Sequence, residues 1–255
     1  MKNLNKRNFF NINGYILLKN AIEKKKILNI FKSLDSIILN SKYKKKYNNI
    51  KSKKLFFKLS LFFNKYKNND PIFFSNLYES FKNSYSSKHL FSNKSMEKIL
   101  NITNTKLHQL NDQQQVIRID VVKENTNLIG HHQDIMPDVK IKKNNKSFIG
   151  FTLWCPLFKS NNYYGGIAVI PKSHKQGWVT LRKASKKIGV SASYNVNKKF
   201  IENNKQNYKT INSMCGDLLI MNTFLVHKSL SNNSNICRFT AQYRVAIDKN
   251  LKFLK

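Results

Sequence analysis

Several features that would assign this chain to a class of protein are missing from its sequence. No run of about 18 apolar residues occurs, so we expect no helix that spans a membrane. The basic segment at residues 1–7 is not followed by an apolar stretch, so it is a poor secretory signal. Only three cysteines are present, and no two of them are spaced as C-x-x-C. We therefore expect reduced thiols and a cytoplasmic protein.

Acidic residues are also scarce, and the chain is extremely basic. It has 46 basic and 13 acidic residues, which give a net charge of +33. Nearly all the basic residues are lysines scattered among Asn and Ile, which is typical of a compositional bias rather than of one binding face. We therefore predict no nucleic-acid partner. An anionic small-molecule substrate fits the lysine excess, but the bias explains that excess equally well. The sequence carries no signal of the oligomeric state.

Glycine and proline are nearly absent from the first half of the chain. Before residue 130 only Gly14 and Pro71 occur, so turn signals favour helices there and short strands after it. The length fits one domain. We predict a single domain over residues 1–255 that is mainly β. Residues 113–255 would form a double-stranded β-helix (a cupin-like jelly roll), backed by a mostly helical portion at residues 1–112.

The pattern of apolar residues predicts the individual elements. Helices are expected at residues 20–39 and, as a pair, between residues 72 and 110, the second containing Met96 to Leu110. The Lys-rich stretches 41–70 and 176–210 are expected to carry substrate specificity. Strands are predicted at residues 14–19, 116–122, 148–158, 167–171, 218–222 and 238–247.

A candidate metal site combines His132 and Asp134 with the distant His227. On an extended segment, residues i and i+2 point to the same side, so His132 and Asp134 can bind one ion while Gln133 points away. His131 would not share that face with Asp134. Two imidazoles and one carboxylate form the ligand set of non-haem Fe(II) oxygenases. The H-x-D pattern alone is weak, and zinc accepts the same ligands.

Arg238 lies on the predicted strand that follows His227. A metal-bound 2-oxo acid needs a cation for its remote carboxylate, and Arg binds carboxylates in a bidentate manner. Ser229 is placed to add a hydroxyl donor to the same group. Arg244 has even spacing from Arg238 and so faces the same side, where it would bind a substrate anion or pair with Asp217.

These residues and several other segments, in order, resemble the phytanoyl-CoA dioxygenase family of Fe(II)/2-oxoglutarate oxygenases. The likeness spans nearly the whole chain. Two turns depart from the family pattern, Gly165-Gly166 in place of Asn-Gly and Lys172 in place of a glycine, and they affect loop geometry more than the metal ligands. The segments are GYILLKNAI (14–22), GHHQD (130–134), LWCPL (153–157), GGIAVIPKSHK (165–175), CGDLLI (215–220) and the H-x-S…R ending (227–238).

The resemblance implies a jelly-roll fold with Fe(II) and 2-oxoglutarate as cofactor and co-substrate. By position it assigns His132, Asp134 and His227 to iron, and Arg238 with Ser229 to the remote carboxylate of 2-oxoglutarate. Two further residues would face the cavity on their strands, and a third would order its rim. They are Arg118 and Trp154 for the cavity and His174 for the rim.

The implied activity is the hydroxylation of an unidentified small molecule, with release of succinate and carbon dioxide. Two alternatives stay open at this point. One is a zinc-dependent hydrolase or lyase with the same three ligands. The other is a non-catalytic basic jelly-roll binding protein that contacts an anionic polymer.

Overall fold

The computed structural model describes residues 2–82, 84, 89–91, 93–110, 112–123, 128–134, 148–179, 181–183 and 194–247. Helices occupy most of the chain before residue 110, and strands occupy most of it afterwards. The helices are α1 (Lys2–Asn13), α2 (Lys24–Leu39), α3 (Lys44–Asn48), α4 (Leu55–Tyr66), α5 (Pro71–Lys82), α6 (Asn93–Thr103) and α7 (Lys198–Asn203). The strands are β1 (Tyr15–Leu18), β2 (Asp112–Asp120), β3 (Gly150–Pro156), β4 (Ile167–Val169), β5 (Leu181–Lys183), β6 (Tyr194–Val196), β7 (Lys209–Thr210), β8 (Leu218–Asn222), β9 (His227–Ser229) and β10 (Arg238–Ala246).

Two antiparallel sheets enclose the interior of the β portion. The larger sheet has the strand order β1-β8-β3-β10-β2, and the smaller sheet has the order β7-β4-β9. An antiparallel bridge between His132 and His227 adds the Gly130–Asp134 segment beside β9. This architecture confirms the predicted fold class, with two facing sheets and a helical N-terminal portion. The described strands do not close into a barrel.

The strand β10 shows how the larger sheet separates two environments. It lies between β3 and β2, and its side chains alternate between the two faces. Phe239, Ala241 and Val245 belong to the apolar core under the helices. The intervening positions, Arg238, Thr240, Gln242 and Arg244, line a cavity between the sheets. One strand therefore supports the hydrophobic core and the polar cavity at the same time.

The helices of the N-terminal portion pack on the outer face of the larger sheet. In α2 the residues Ile27, Ile30, Phe31, Leu34 and Ile38 recur at helical spacing and are buried in this core. Phe239 of β10 is the sheet side chain around which the aromatic rings gather. Its ring centroid lies 5.5 Å from that of Phe31, 5.4 Å from that of Phe56 and 5.9 Å from that of Phe63.

A second, smaller apolar cluster separates the two sheets. It includes Tyr15, Trp154, Ile167 and Met221, all of which are nearly excluded from solvent. Trp154, Ile167 and Met221 also line the polar cavity. The cluster thus sets the spacing between the sheets and forms one wall of the candidate site.

The helical portion differs from the sequence prediction in two places. Helix α1 was not predicted as a separate element. The helix that was predicted to reach Leu110 ends at Thr103, because Asn104 adopts a left-handed conformation with φ of 54°. The N–H of Thr105 then donates to the carbonyl of Leu100 at 2.9 Å, as in a helix C-cap. No helix among the described residues has the length and apolar character needed to cross a membrane.

Replacing Phe239 by Ala is expected to lower the free energy of unfolding by about 3–5 kcal/mol, because the deletion leaves a cavity among three other rings. Chemical denaturation followed by circular dichroism measures the change. Leu107→Ala is the control, since Leu107 is 69% exposed and its truncation should cost less than about 0.5 kcal/mol. Equal effects of the two substitutions would contradict this description of the core.

Candidate metal centre

The three candidate ligands lie together on the inner face of the smaller sheet. The backbones of His132 and His227 exchange two hydrogen bonds, with N···O distances of 2.9 and 3.0 Å. This direct pairing places the two imidazoles side by side, with ring centroids 4.1 Å apart. Asp134 follows two residues after His132 and points to the same side. The predicted i, i+2 arrangement is therefore present in the structure.

The side-chain distances suit one shared ion. His132 Nε2 lies 3.8 Å from Asp134 Oδ1, and His227 Nε2 lies 3.6 Å from Asp134 Oδ2. One donor atom from each of the three residues falls within 4.8 Å of the others. Each of the three residues is at most 5% exposed. Two nitrogen donors and one carboxylate in a buried, converging group fit a divalent transition metal.

Backbone carbonyls hold both imidazoles in the orientation that a ligand needs. His132 Nδ1 lies 2.7 Å from the carbonyl oxygen of Gly130, and His227 Nδ1 lies 3.0 Å from that of Leu225. A carbonyl oxygen only accepts hydrogen bonds, so we assign the proton to Nδ1 in each ring. The lone pair of Nε2 then points toward Asp134 in both cases. Such contacts fix the tautomer of a metal-binding histidine.

The electrostatics favour the protonation states of ligands. Burial lowers the pKa of His132 to about 3, with a further contribution from His227, so this imidazole is neutral. Burial alone would raise the pKa of Asp134, but the nearby guanidinium of Arg244 and the two imidazoles outweigh it and hold this pKa below its usual value. The hydroxyl of Thr152 also donates to Asp134 Oδ2 at 2.7 Å. Metals bind neutral imidazole and ionised carboxylate.

A second charged group lies in the same cavity, around the buried carboxylate of Asp120. Arg238 contacts Asp120 Oδ2 through Nε at 2.9 Å and Nη2 at 2.8 Å, and Arg118 Nη2 lies 3.0 Å from Oδ1. The Nη1 group of Arg238 donates to the carbonyls of Gly166 and Leu230, both at 3.3 Å. Burial opposes ionisation of Asp120, but the two arginines outweigh it and lower its pKa. The guanidinium plane of Arg238 is therefore fixed.

The seven residues that the sequence assigned to the metal, the co-substrate and the cavity wall line one cavity. They are His132, Asp134, His227, Arg238, Ser229, Arg118 and Trp154. The sequence reasoning missed Asp120 and Thr152, which hold Arg238 and Asp134 in place. Asp120 lies two residues after Arg118 and therefore on the same face of β2. This spacing is the sequence signal that could have identified Asp120 as part of the site.

Three other expectations from the sequence are not met. Arg244 was given Asp217 as one possible partner, but its Nη2 lies 3.1 Å from Asp134 Oδ1, while Asp217 pairs with Lys19 at 2.8 Å. His174 does not line the cavity, since its ring packs over Gly14 and its Nε2 lies 3.1 Å from the carbonyl of Asn11. No residue of the stretch 41–70 lines the cavity either, because α3 and α4 lie on the helical side.

The comparison with protein families assigns the chain. The family model described as phytanoyl-CoA dioxygenase (PhyH) matches residues 10–240. The chain belongs to the phytanoyl-CoA dioxygenase family. This confirms the resemblance drawn from the sequence motifs. A search of curated protein sequences found no significant match.

The fold of this chain is similar to that of several solved structures. EvdO2 from Micromonospora carbonacea var. aurantiaca is 9% identical to this chain with a TM-score of 0.62, and the match covers 98% of this chain and 91% of EvdO2. The epimerase SnoN is 9% identical with a TM-score of 0.60, and the match covers 100% of this chain and 86% of SnoN. EctD from S. alaskensis is 11% identical with a TM-score of 0.55, covering 97% and 78%. At identities this low, the similarity shows that these proteins share a fold with this chain and shows nothing beyond the fold.

Replacing Asp120 by Asn is expected to lower the free energy of unfolding by about 3 kcal/mol, because two buried guanidinium groups lose their counter-charge. Chemical denaturation at neutral pH measures the change. The control is Glu202→Gln, which breaks an exposed ion pair with Lys198 and should cost less than about 0.5 kcal/mol. A cost for Asp120→Asn no larger than that of the control would contradict the bridging role of Asp120.

Proposed function

We propose that this protein is an Fe(II)- and 2-oxoglutarate-dependent dioxygenase that hydroxylates a small-molecule substrate and releases succinate and carbon dioxide. One observation carries the proposal. Two imidazole nitrogens and a carboxylate converge in a buried cavity that also contains a fixed arginine. The first group is suited to a metal, and the second is suited to the far end of a diacid that chelates this metal.

In this proposal His132, Asp134 and His227 hold the iron. The carbonyls of Gly130 and Leu225 orient the imidazoles, and Thr152 orients the carboxylate. These contacts fix the two rings and the carboxylate in the orientation that a ligand needs. The bound iron would supply the activation of oxygen, coupled to decarboxylation of 2-oxoglutarate.

Arg238 and Ser229 would bind the remote carboxylate of 2-oxoglutarate. Both line the cavity, and Ser229 lies two residues beyond His227 on the same face of β9. Because Asp120 occupies the Nε–Nη2 edge of Arg238 and two backbone carbonyls accept from Nη1, the incoming carboxylate would meet the remaining N–H of Nη2. Arg118, on the other oxygen of Asp120, adds positive charge nearby.

Apolar side chains form the rest of the cavity wall. Trp154, Ile129, Ile167 and Met221 line it together with the polar residues. A water-poor wall strengthens the charge interactions of bound groups and keeps bulk solvent from the reacting atoms. In this role Trp154 shapes the cavity and does not act as a ligand.

The structural neighbours support the choice of iron and 2-oxoglutarate. SnoN was solved in complex with Fe3+ and α-ketoglutarate, EvdO2 with 2-oxoglutarate, and EctD with 2-oxoglutarate and 5-hydroxyectoine. SnoN is described as an epimerase, so oxidative outcomes differ among these proteins. Hydroxylation is our proposal for this chain because it is the reaction implied by the family motifs. A zinc hydrolase would have no use for the Arg238–Ser229 group.

Anaerobic addition of Fe(II) and then 2-oxoglutarate to metal-free protein is expected to produce a visible charge-transfer band of the chelate. His132→Ala should abolish the band, because one of three ligands is lost. His131→Ala is the matched control, since the neighbouring ring packs on Tyr208 and lies outside the cavity lining, and it should keep the band. Iron binding without a band would contradict the proposal in favour of a different co-substrate.

Titration of 2-oxoglutarate into the iron-loaded protein tests the carboxylate group separately. Arg238→Lys is expected to weaken 2-oxoglutarate binding about tenfold or more, because lysine cannot contact Asp120 and a carboxylate as a planar fork does. Ser229→Ala should weaken it about threefold to tenfold through loss of one hydrogen bond. Iron affinity, measured without 2-oxoglutarate, should change little in either variant. Unchanged 2-oxoglutarate affinity in Arg238→Lys would remove Arg238 from this role.

A further inference from the structure

A second cavity lies at the edge where both sheets end, apart from the metal centre. Among the described strands, β1 is the edge strand of the larger sheet and β7 is an edge strand of the smaller sheet. The cavity opens between these two strands and has a volume of about 560 Å³. Cavities of about 300–1,000 Å³ are typical of small-molecule sites. The residues that line it are all different from those that line the cavity of the metal centre.

The two edge strands supply apolar walls. Tyr15 and Leu17 are two residues apart on β1 and so point to the same side, and Ile211 follows directly after β7. Tyr15 and Ile211 belong to the smaller apolar cluster between the sheets, and Leu17 packs against that cluster. The N–H of Ile211 also donates to the carbonyl of Ile167 at 2.9 Å. These walls are therefore held in place by the packing of the sandwich itself.

Helix α1 covers one side of the cavity. Asn5, Lys6 and Phe9 line it, and their i, i+3 and i+4 spacings place them on neighbouring positions of one helix face. Phe10, on another face, is buried in the core under the larger sheet and anchors the helix. The ring of Phe9 meets that of Tyr15 edge-on, with centroids 5.8 Å apart, yet Phe9 is 42% exposed. A large apolar side chain is thus held at the mouth of the cavity.

The lining of the cavity carries positive charge and no negative charge. Lys6 of α1 and Lys209 of β7 both line it, and both are exposed. The other polar side chains of the lining are neutral, and no Asp or Glu is among the lining residues. They are Asn5, Thr210 and Asn212. Apolar walls with lysines at an open mouth match a molecule that has an apolar body and an anionic head.

Other kinds of occupant use these features less well. A second copy of the chain would bring the same two lysines toward each other, and each copy has a net charge of +33. Like charges placed face to face oppose association. A wholly apolar molecule would contact the walls and make no use of the lysines.

We propose that this cavity binds a small amphipathic acid. The apolar body of the acid lies against Tyr15, Leu17, Ile211 and Phe9, and its acidic head faces the lysines of α1 and β7. The site requires neither the iron nor 2-oxoglutarate, so it is independent of the proposed activity.

The experiment measures binding of octanoate to the full chain, with octanol as the uncharged molecule of equal chain length. Isothermal titration calorimetry gives the stoichiometry and affinity, and ligand-observed NMR follows both molecules. We expect one octanoate per chain, bound about tenfold or more tightly than octanol. From hexanoate to octanoate, each added methylene group should increase the affinity about threefold, because it is buried against the walls.

Substitution of Phe9 locates the binding on α1. Phe9→Asp should lower the affinity for octanoate at least about tenfold, since it removes an apolar contact and adds a like charge. Ile12→Asp is the matched control, because Ile12 lies on the same helix, is 49% exposed and does not line the cavity. It should keep the affinity of the wild type. Circular dichroism checks that both variants are folded.

Substitution of the two lysines tests the head group without touching the walls. The double variant Lys6→Gln with Lys209→Gln should bind octanoate and octanol about equally, with the affinity for octanol unchanged. The control is Lys44→Gln with Lys45→Gln on α3, which removes an equal charge from exposed positions outside the cavity and should keep the preference for the acid.

The remaining outcomes overturn the proposal. No binding of octanoate by the wild type, or equal binding of octanoate and octanol, would do so. Several equivalents of octanoate that bind regardless of the Phe9 and lysine substitutions would show a general attraction to the net charge of the chain. A dimer detected by analytical ultracentrifugation that Phe9→Asp dissociates, without any octanoate binding, would assign this face to a second copy.

Discussion

The paired backbone hydrogen bonds between His132 and His227 are the constraint on which the metal centre depends. They fix the register of the Gly130–Asp134 segment against β9, and the register decides which side chains enter the cavity. Because strand side chains alternate with a period of two, a slip of one residue would turn an imidazole to the outer face. His131 and Lys228 now occupy that face, next to Tyr208. The position of Asp134 and both histidine tautomers follow from the same register.

The larger sheet allows a strongly charged cavity to exist inside a small protein. Its inner face holds three arginines, and pairing with Asp120 and Asp134 offsets much of the cost of burying them. Its outer face is covered by the aromatic and aliphatic side chains of the helical portion. The residues that gather around Phe239 thus stabilise the strand on which Arg238, Gln242 and Arg244 are mounted. Polar side chains on a rigid strand keep their geometry better than those on loops.

The sequence identified the candidate ligands of the site better than it identified the residues that hold those ligands in place. The i, i+2 spacing of His132 and Asp134, the ordered motifs and the alternation in β10 identified the cavity residues, because these are local patterns. The bridge from Asp120 to Arg238 was out of reach, since the two residues are 118 positions apart and meet only through the register of β2 against β10. The suggested pairing of Arg244 with Asp217 was wrong for a similar reason. Asp217 lies in the turn before β8, where it accepts hydrogen bonds from the backbones of Asn20 and Met214.

The strand order has a consequence for how the chain assembles. The strand β10 is the last one that the structure describes, yet it lies between β3 and β2 and not at an edge. Until it is made, β2 lacks its neighbour among the described strands of the sheet, and Asp120 has no Arg238 beside it. A nascent chain would therefore carry the helices and most strands with their apolar faces uncovered. When β10 joins the sheet, it seals the core and completes the charged cavity in one step.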